Sequence, residues 1–571
     1  MLHGAVGWTQ SPQLAVMTGS RAFLELLKLE GVQVLFGNPG TTELPLMDAL
    51  ATETGLRYVL ALQESVAMAM ADGYARASGK LGVVNVHVAP GLGNAMGMLF
   101  DAQRAGSPVL VTAGQQAQGF GVTEPNLYAE LPPIAQPFVK WAAEARSVRE
   151  LPLLVHRAAK IALSPPTGPV FLSLPNDVMA GEADIDLGSP TRVGARVRAD
   201  ADAIAEAVAA LAAARHPVII AGDAISQSDA HAELAALAEL IGAPVYLEGE
   251  ASTNGFPTQH GLFRSHLARS GSVIRRVLDT HDVLFSAGAD LFTLSLPPEV
   301  PPVPPGLRIV HLDSDPWQLG KNFPARPALL GDAKATLPEI TASLRAAMSE
   351  AQHRAAQERG EVARGEHAQA RAALLARARA GAGLSPMPVV TVMQAVGELV
   401  PREAIIVDET ISSSEGLREF LCCDDAAGFH GMRGGGIGWG LPGAVGVQLA
   451  RPDRPVVALV GDGSAMYTIQ ALWTAAHERV PVVFVILNNR SYRILKQRLS
   501  GMRGLAEQTG NYVGMDLTDP PIDYVGLARS MGLSATHAGT LPEFTAALRD
   551  ALAQRRPMLI ELEIEQTFKP V

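Results

Sequence analysis

Cysteine is almost absent. The 571 residues contain only Cys422 and Cys423; neighbours in sequence cannot pair without strain, so a disulfide framework is excluded and a reducing cytoplasm suits the chain. No Cys/His ligand spacing occurs, which leaves a structural zinc site without support. Long apolar runs are missing too. No window of about eighteen apolar residues appears, and no basic stretch followed by an apolar one opens the chain, which argues against a membrane span and against secretion. Charge of one sign never gathers into blocks: the net charge of −11 is spread along the sequence. Nothing resembles a surface that grips a phosphate backbone, so nucleic acid is not an expected partner.

What is present describes an ordinary globular protein, 48% apolar and 18% charged. The length exceeds what one hydrophobic core can serve, so about three or four domains are expected. Three stretches repeat one rhythm, a β-branched run, a small-residue turn and an Ala/Leu-rich amphipathic helix, which signals parallel α/β architecture. The first contains 32–36, 83–86, 108–111 and 168–175. The second holds 217–222, 282–285 and 308–312. The third holds 404–407, 456–460, 482–487 and 558–562. The expected organisation is three open parallel-sheet α/β domains, over 18–185, 200–345 and 387–571. Residues 1–17 read as a loose leader with folded sequence starting near Ser20, 180–199 as a polar linker, and 346–386 as a helical connector.

The most informative segment is Gly461-Asp462-Gly463-Ser464, followed later by Asn488-Asn489. Asp462 comes directly after an apolar strand, where open parallel sheets place ligand-binding residues. Gly461 and Gly463 let backbone approach an anion, and a helix starting near Ser464 offers free N–H groups. A second strand delivers Asn489 to the same edge. An Asp carboxylate, an Asn amide oxygen and a backbone carbonyl, completed by phosphate oxygens and water, suit magnesium. A lone Gly-Asp-Gly more often marks a strand-end turn with Asp as a helix cap; the interval to Asn488-Asn489 is what changes the reading.

That interval resembles the signature of thiamine-diphosphate-dependent enzymes. The resemblance implies that Asp462, Asn489 and the backbone oxygen of Ser491 hold Mg2+, and that Gly461, Gly463, Ser464 and Tyr492 line the diphosphate. Ser412, in Asp408-Glu409-Thr410-Ile411-Ser412, is the clearest match to a second diphosphate loop. The domains at 18–185 and 387–571 would then bind the pyrimidine and the diphosphate. In such enzymes a carboxylate moves a proton at the aminopyrimidine while the cofactor carries the hard chemistry. Glu64, at a strand-to-helix turn inside an apolar run, matches that glutamate, and burial would raise its pKa toward the value such a role needs. As a plain helix-start glutamate it would look the same.

The resemblance spans about 18–565 and narrows to benzoylformate decarboxylase and its relatives, through Phe36-Gly37-Asn38-Pro39-Gly40-Thr41-Thr42-Glu43-Leu44-Pro45, Val86 to Asn94, Thr112 to Gln116, Gly434 to Gln448 and Gly461 to Ala475. Part of it, Ser464 to Trp473 and Asn489 to Leu495, is also similar to acetolactate-synthase-like proteins. Asn38, Pro39 and Gly40 would line the cofactor. His87, read as lying between a strand and a Gly-rich turn, matches a decarboxylase histidine that acetolactate synthases lack. Thr41 stands where the decarboxylase carries a serine that bonds a substrate carboxylate, and Ile437 where a large apolar residue keeps the cofactor bent. Departures matter equally. Ser295 replaces a second active-site histidine; His430, just before the Gly-rich turn at Gly434, reads either as its substitute or as a surface-loop residue. Gly431 and Arg498 stand where aromatic rings line an aryl pocket, and Ile494 where the decarboxylase has alanine.

The implied activity is non-oxidative decarboxylation of a 2-oxo acid, one smaller or more polar than an aryl substrate, with carboligation as a side activity. The implied assembly is a homotetramer, a dimer of dimers with active sites at the dimer interface. Rival readings are an acetolactate-synthase-like carboligase, a regulatory protein that binds the cofactor without turnover, and a flavin oxidase on the same scaffold. The middle domain lacks the G-x-G-x-x-G fingerprint, which weighs against the last.

Overall fold

Strands that read as unbroken apolar runs are buried on both faces, the condition of a parallel sheet covered by helices. The computed structural model describes residues 15–294 and 296–568. The strands, in chain order, are β1 (Ala15–Thr18), β2 (Val34–Gly37), β3 (Arg57–Leu60), β4 (Gly82–Val86), β5 (Val109–Gln115), β6 (Ala142–Glu144), β7 (Val170–Pro175), β8 (Glu182–Ile185), β9 (Pro217–Ala221), β10 (Val245–Leu247), β11 (Phe263–His266), β12 (Val283–Ala287), β13 (Arg308–Asp313), β14 (Ala328–Leu330), β15 (Ile405–Glu409), β16 (Phe429–Gly431), β17 (Val456–Gly461), β18 (Val482–Asn488), β19 (Ser534–Ala538) and β20 (Met558–Glu563). Near Val193 the chain divides into two compact units.

The first unit holds one six-stranded sheet, order β3-β2-β4-β5-β7-β6. The second holds two, β11-β10-β9-β12-β13-β14 and β16-β15-β17-β18-β20-β19. Every pairing in the three is parallel, for instance β2 with β4, β9 with β12 and β15 with β17. Three open parallel sheets with helical crossovers are the architecture expected. In each sheet the chain lays its second strand on one side of the first and later crosses to the other side. The strand order therefore reverses beside the first strand, between β2 and β4, β9 and β12, and β15 and β17. Loops leaving the carboxyl ends of such a pair splay apart and open a crevice.

Two expectations at the ends of the first unit need correction. Residues 1–14 lie outside the described residues, but β1 begins at Ala15 and pairs antiparallel with β8. Folded sequence therefore starts ahead of Ser20, and the polar linker opens with a strand. Neither strand is well buried, so their backbone ribbon left no apolar pattern to read. The connector contains one long helix, Glu350–Ala380, opened by a capping box at Ser349. Among the described residues no helix is long and apolar enough to cross a membrane.

The crevice beside β9 depends on close backbone approach. A Cβ on Gly222, the residue after β9, would lie 2.1 Å from the Gly288 carbonyl oxygen. Gly222→Ala should cost about 2 kcal/mol or more, because backbone has no room to give. Gly365→Ala, on the exposed face of the long helix with nothing within 4 Å, should instead gain about 0.5–1 kcal/mol. Urea denaturation of both variants checks the opposite signs.

Candidate active site

In the first unit the reversal point lies between the loop after β2 and the residue after β4, His87. Asn38 donates from Nδ2 to the Ala61 carbonyl at 2.7 Å, which ties the loop to the end of β3. Pro39 and Thr41 are exposed, whereas Thr42 and Glu43 are buried. Glu43 accepts from the Gly40 N–H at 2.9 Å, from the Gly114 N–H at 2.8 Å and from the Thr42 hydroxyl at 2.9 Å. Its Oε2 also lies 2.7 Å from His87 Nδ1. With Nδ1–H donated to that carboxylate, Nε2 is left for other partners. The Thr42 hydroxyl sits 3.2 Å from the same Nδ1. The ring packs so closely on Gly40 that a Cβ there would come within 2.2 Å of it.

His87 is not followed by a Gly-rich turn. It is the N-cap residue of a helix, Val88–Ala105, and Gly91 lies in that helix's first turns. Glu64 is the first residue of the helix Glu64–Ser78, half-buried, and accepts from Asn94 Nδ2 at 3.0 Å. Its carboxylate rests against Gly91, so Glu64 and His87 both meet the opening of the 88–105 helix.

In the second unit the equivalent point lies between β15 and β17. Asp462 follows β17 and is buried, with Oδ2 lacking a hydrogen-bond partner. Burial pushes its carboxyl up to about 6, against donation from the backbone N–H groups of Gly463, Arg490 and Ser491. An ionisable oxygen buried without a partner marks a position that a cation would satisfy. The helix here is a single turn, Asp462–Ala465, starting two residues earlier than expected. Asn489 follows β18, and its Oδ1 accepts from Ser491 N at 3.0 Å and Ser491 Oγ at 2.9 Å. Tyr492 lies over Gly463, where a Cβ would be 2.5 Å from the ring. Among the described residues no three His, Cys, Asp or Glu side chains form a metal-holding group by themselves.

Two buried side chains that sequence reasoning passed over hold this edge together. Arg493 donates to the Ser412 carbonyl at 2.8 Å, to Ser413 Oγ at 2.6 Å and to the Glu565 carbonyl at 3.0 Å, and its Nε lies 3.3 Å from Ser412 Oγ. Glu409, the last residue of β15, accepts from the N–H groups of Gly438 and Gly440, both at 2.5 Å. Burial pushes its carboxyl up to about 7 despite these donors and the Ser464 hydroxyl. Ile437, half-buried, sits one residue before that clamp.

The matches to known families agree with this geometry. Residues 17–122, 204–340 and 420–562 match the family models for the N-terminal TPP binding domain, the central domain and the C-terminal TPP binding domain of thiamine pyrophosphate enzymes. The chain belongs to the thiamine pyrophosphate enzyme family. Benzoylformate decarboxylase of Pseudomonas aeruginosa is 35% identical over 96% of this chain and 99% of that protein. An acetolactate synthase large subunit of Corynebacterium glutamicum is 27% identical over 95% and 86%. Among solved structures, the thiamine diphosphate-dependent 4-hydroxybenzoylformate decarboxylase of Rhodococcus jostii superposes with a TM-score of 0.83 at 32% identity, over 96% of this chain and all of that one. Benzoylformate decarboxylase of Polynucleobacter necessarius gives 0.84 at 29%, over 97% and all of it.

For this thiamine pyrophosphate enzyme the structure brings His87, Gly40 and Glu64 around one crevice and Asp462, Gly463, Asn489, Ser491 and Tyr492 around another. The hydroxyl 3.2 Å from His87 Nδ1 is that of Thr42, while Thr41 is exposed beside it. His430 is not in a surface loop. It is buried on the edge strand β16, paired with Val407. Ser295 lies outside the described residues. Glu43 and Asn94 were missed because each reads locally as something ordinary: Glu43 caps a short helix by accepting from the Gly40 N–H, and Asn94 is one polar residue within a helix.

Glu409 has a measurable consequence. Its folded pKa lies above the usual glutamate value of 4.5. Between those values the folded chain holds a proton that the unfolded chain has lost, so this group's contribution to stability falls as pH rises from 4.5 through about 7. Across that window the melting temperature of the cofactor-free protein should fall more steeply than that of Glu409→Gln. Parallel slopes in a thermal scan would refute the shift.

Proposed function

We propose that the chain is a thiamine-diphosphate- and Mg2+-dependent, non-oxidative 2-oxo acid decarboxylase with carboligation as a side activity. The observation that carries this reading is the imidazole of His87, fixed by a buried glutamate at a sheet reversal point with Glu64 close by. A synthase that joins two 2-oxo acids must keep the carbanion unprotonated until the acceptor arrives, so an acid positioned at that carbon favours decarboxylation. The benzoylformate decarboxylase relatives point the same way.

The residues present fit the cofactor. Asp462, with its unsatisfied buried oxygen, Asn489 and the Ser491 carbonyl would hold Mg2+, which favours such oxygen donors. Gly461, Gly463, Ser464, Tyr492 and Ser412 would line the diphosphate, and Arg493 keeps the Ser412 turn in place. Asn38, Pro39 and Gly40 would line the cofactor's other end, and Ile437 would press on it as the wedge. Bound thiamine diphosphate supplies the electron sink that lets the carboxylate of a 2-oxo acid leave as CO2. Glu64 would hold and return the proton at the aminopyrimidine, with Asn94 fixing the orientation of its carboxylate. His87 would present Nε2 to the reacting carbon for protonation, and Thr41 would bond the substrate carboxylate. Gly431 and Arg498 in place of aromatic residues favour a smaller or more polar acid than benzoylformate. In the family's manner, Glu64 and the Asp462 edge would meet across a dimer interface within a homotetramer.

CO2 release from a panel of pyruvate, branched-chain, aromatic and dicarboxylic 2-oxo acids should need both thiamine diphosphate and Mg2+. Release from none of them would defeat the proposal. Glu64→Gln should fold normally and lose about two to four decades of turnover, the usual share of acid–base catalysis; activity within about threefold of the parent would show that Glu64 has no such role. Mixing inactive Glu64→Gln and Asp462→Ala subunits should regenerate partial activity, whereas an active monomer by light scattering would contradict a shared site.

A further inference from the structure

The reversal point of the middle sheet lies between β9 and β12. In open sheets of this strand order it is where ligands bind. Its rim here is acidic and buried: Asp223 follows β9, Glu248 follows β10 and Asp290 follows β12. One guanidinium sits among them. Arg433 donates from Nη1 to Asp223 Oδ2 at 2.7 Å, to Glu248 Oε1 at 2.8 Å and to the Glu250 carbonyl at 2.9 Å, and from Nη2 to Asp290 Oδ2 at 2.9 Å. The four side chains are 6%, 9%, 4% and 14% exposed. Asp223 is further fixed by the Ser252 and Thr253 hydroxyls at 2.6 and 2.7 Å, and Glu248 Oε2 accepts from the Asp290 N–H at 2.5 Å.

Arg433 arrives from the third sheet, two residues beyond β16. It begins the run Gly434-Gly435-Gly436-Ile437-Gly438, in which Gly434, Gly435 and Gly438 take positive φ. Glycines have no side chains to pack, so such a loop gains its position from its ends. Glu409 holds one end through Gly438 and Gly440. Arg433 holds the other.

We propose that Arg433 is a positioning residue, whose guanidinium, seated in the middle-domain crevice where a sheet of this order would take a ligand, fixes the glycine loop that carries Ile437. The middle domain then acts as a receptor for the chain's own arginine. A planar fork spreads its donors over acceptors on three loops, whereas a lysine gathers three donors on a single nitrogen and reaches them less well. The effect on cofactor binding rests on the reading of Ile437 given above; the effect on the loop itself does not.

The test compares parent, Arg433→Ala and Arg433→Lys by hydrogen–deuterium exchange of the 432–439 segment in cofactor-free protein, and by thiamine diphosphate titration with Mg2+. Arg433→Ala should exchange that segment at least tenfold faster and bind thiamine diphosphate at least tenfold more weakly. Guanidinium chloride, well below denaturing concentrations, should reverse both, and Arg433→Lys should fall between. Parent-like exchange in folded Arg433→Ala, or failure of guanidinium to slow its exchange, overturns the proposal. Faster, rescuable exchange with unchanged affinity keeps the loop assignment and removes Ile437 from the cofactor site. A parent that does not bind thiamine diphosphate defeats the functional reading instead. Should Arg433→Ala not fold, Asp290→Asn carries the test: at least threefold faster exchange of 432–439 supports the proposal, and parent-like exchange overturns it.

Discussion

The reversal of strand order at the carboxyl edge is the constraint on which the rest of the structure depends. A parallel sheet built outward from its first strand must send one crossover to each side, and the loops at that point cannot pack against each other. The chain makes such a sheet three times. The crevices beside β2 and β15 gather the residues matched to thiamine chemistry, and the crevice beside β9 takes Arg433. Each is walled by mostly apolar strands, so most of its polarity comes from strand ends, such as Glu409 on β15, and from the loops that follow them. This is why His87, Asp462 and Asp223 each stand within one or two residues of a strand end.

Charge brought into such crevices has to be answered locally. Glu43 is answered by two backbone N–H groups, a hydroxyl and an imidazole, Glu409 by two backbone N–H groups, and Arg433 by three carboxylates and a carbonyl. Arg418 adds a further buried contact between the middle and third sheets, donating to the Ala251 and Thr253 carbonyls and to Asn254 while covering the Phe429 ring. Groups held this way are costly to bury and costlier to orphan, so they fix geometry more than they add net stability. Exposed pairs such as Arg354 with Glu350 on the long helix bear little on either.

What could be read from the sequence follows the same division. The runs recognised as strands were the inner ones, β2, β4, β5 and β7, then β9, β12 and β13, then β15, β17, β18 and β20. Covered on both faces, they are almost wholly apolar. Strands overlooked or only implied, such as β3, β6, β11, β14, β16 and β19, mostly lie at edges and carry mixed composition, while β10 is an inner strand of only three residues, too short to read as a run. Among site residues, those legible in advance belong to local motifs. Asp462 lies between two glycines, Asn489 closes a strand, and Glu64 opens a helix.

The sequence by itself determined the three-sheet architecture and the positions of Gly461 to Ser464, Asn489, Glu64 and His87, because apolar period and short-range turn chemistry are properties of neighbouring residues. Only the tertiary structure decided that Thr42 and Glu43 meet His87 Nδ1, that His430 is buried, and that Arg433 crosses to the middle sheet. Those pairings join loops that follow different strands, sometimes about two hundred residues apart, as Arg433 and Asp223 are. Their partners are chosen by which strand ends the crossovers bring together, and no local pattern carries that information.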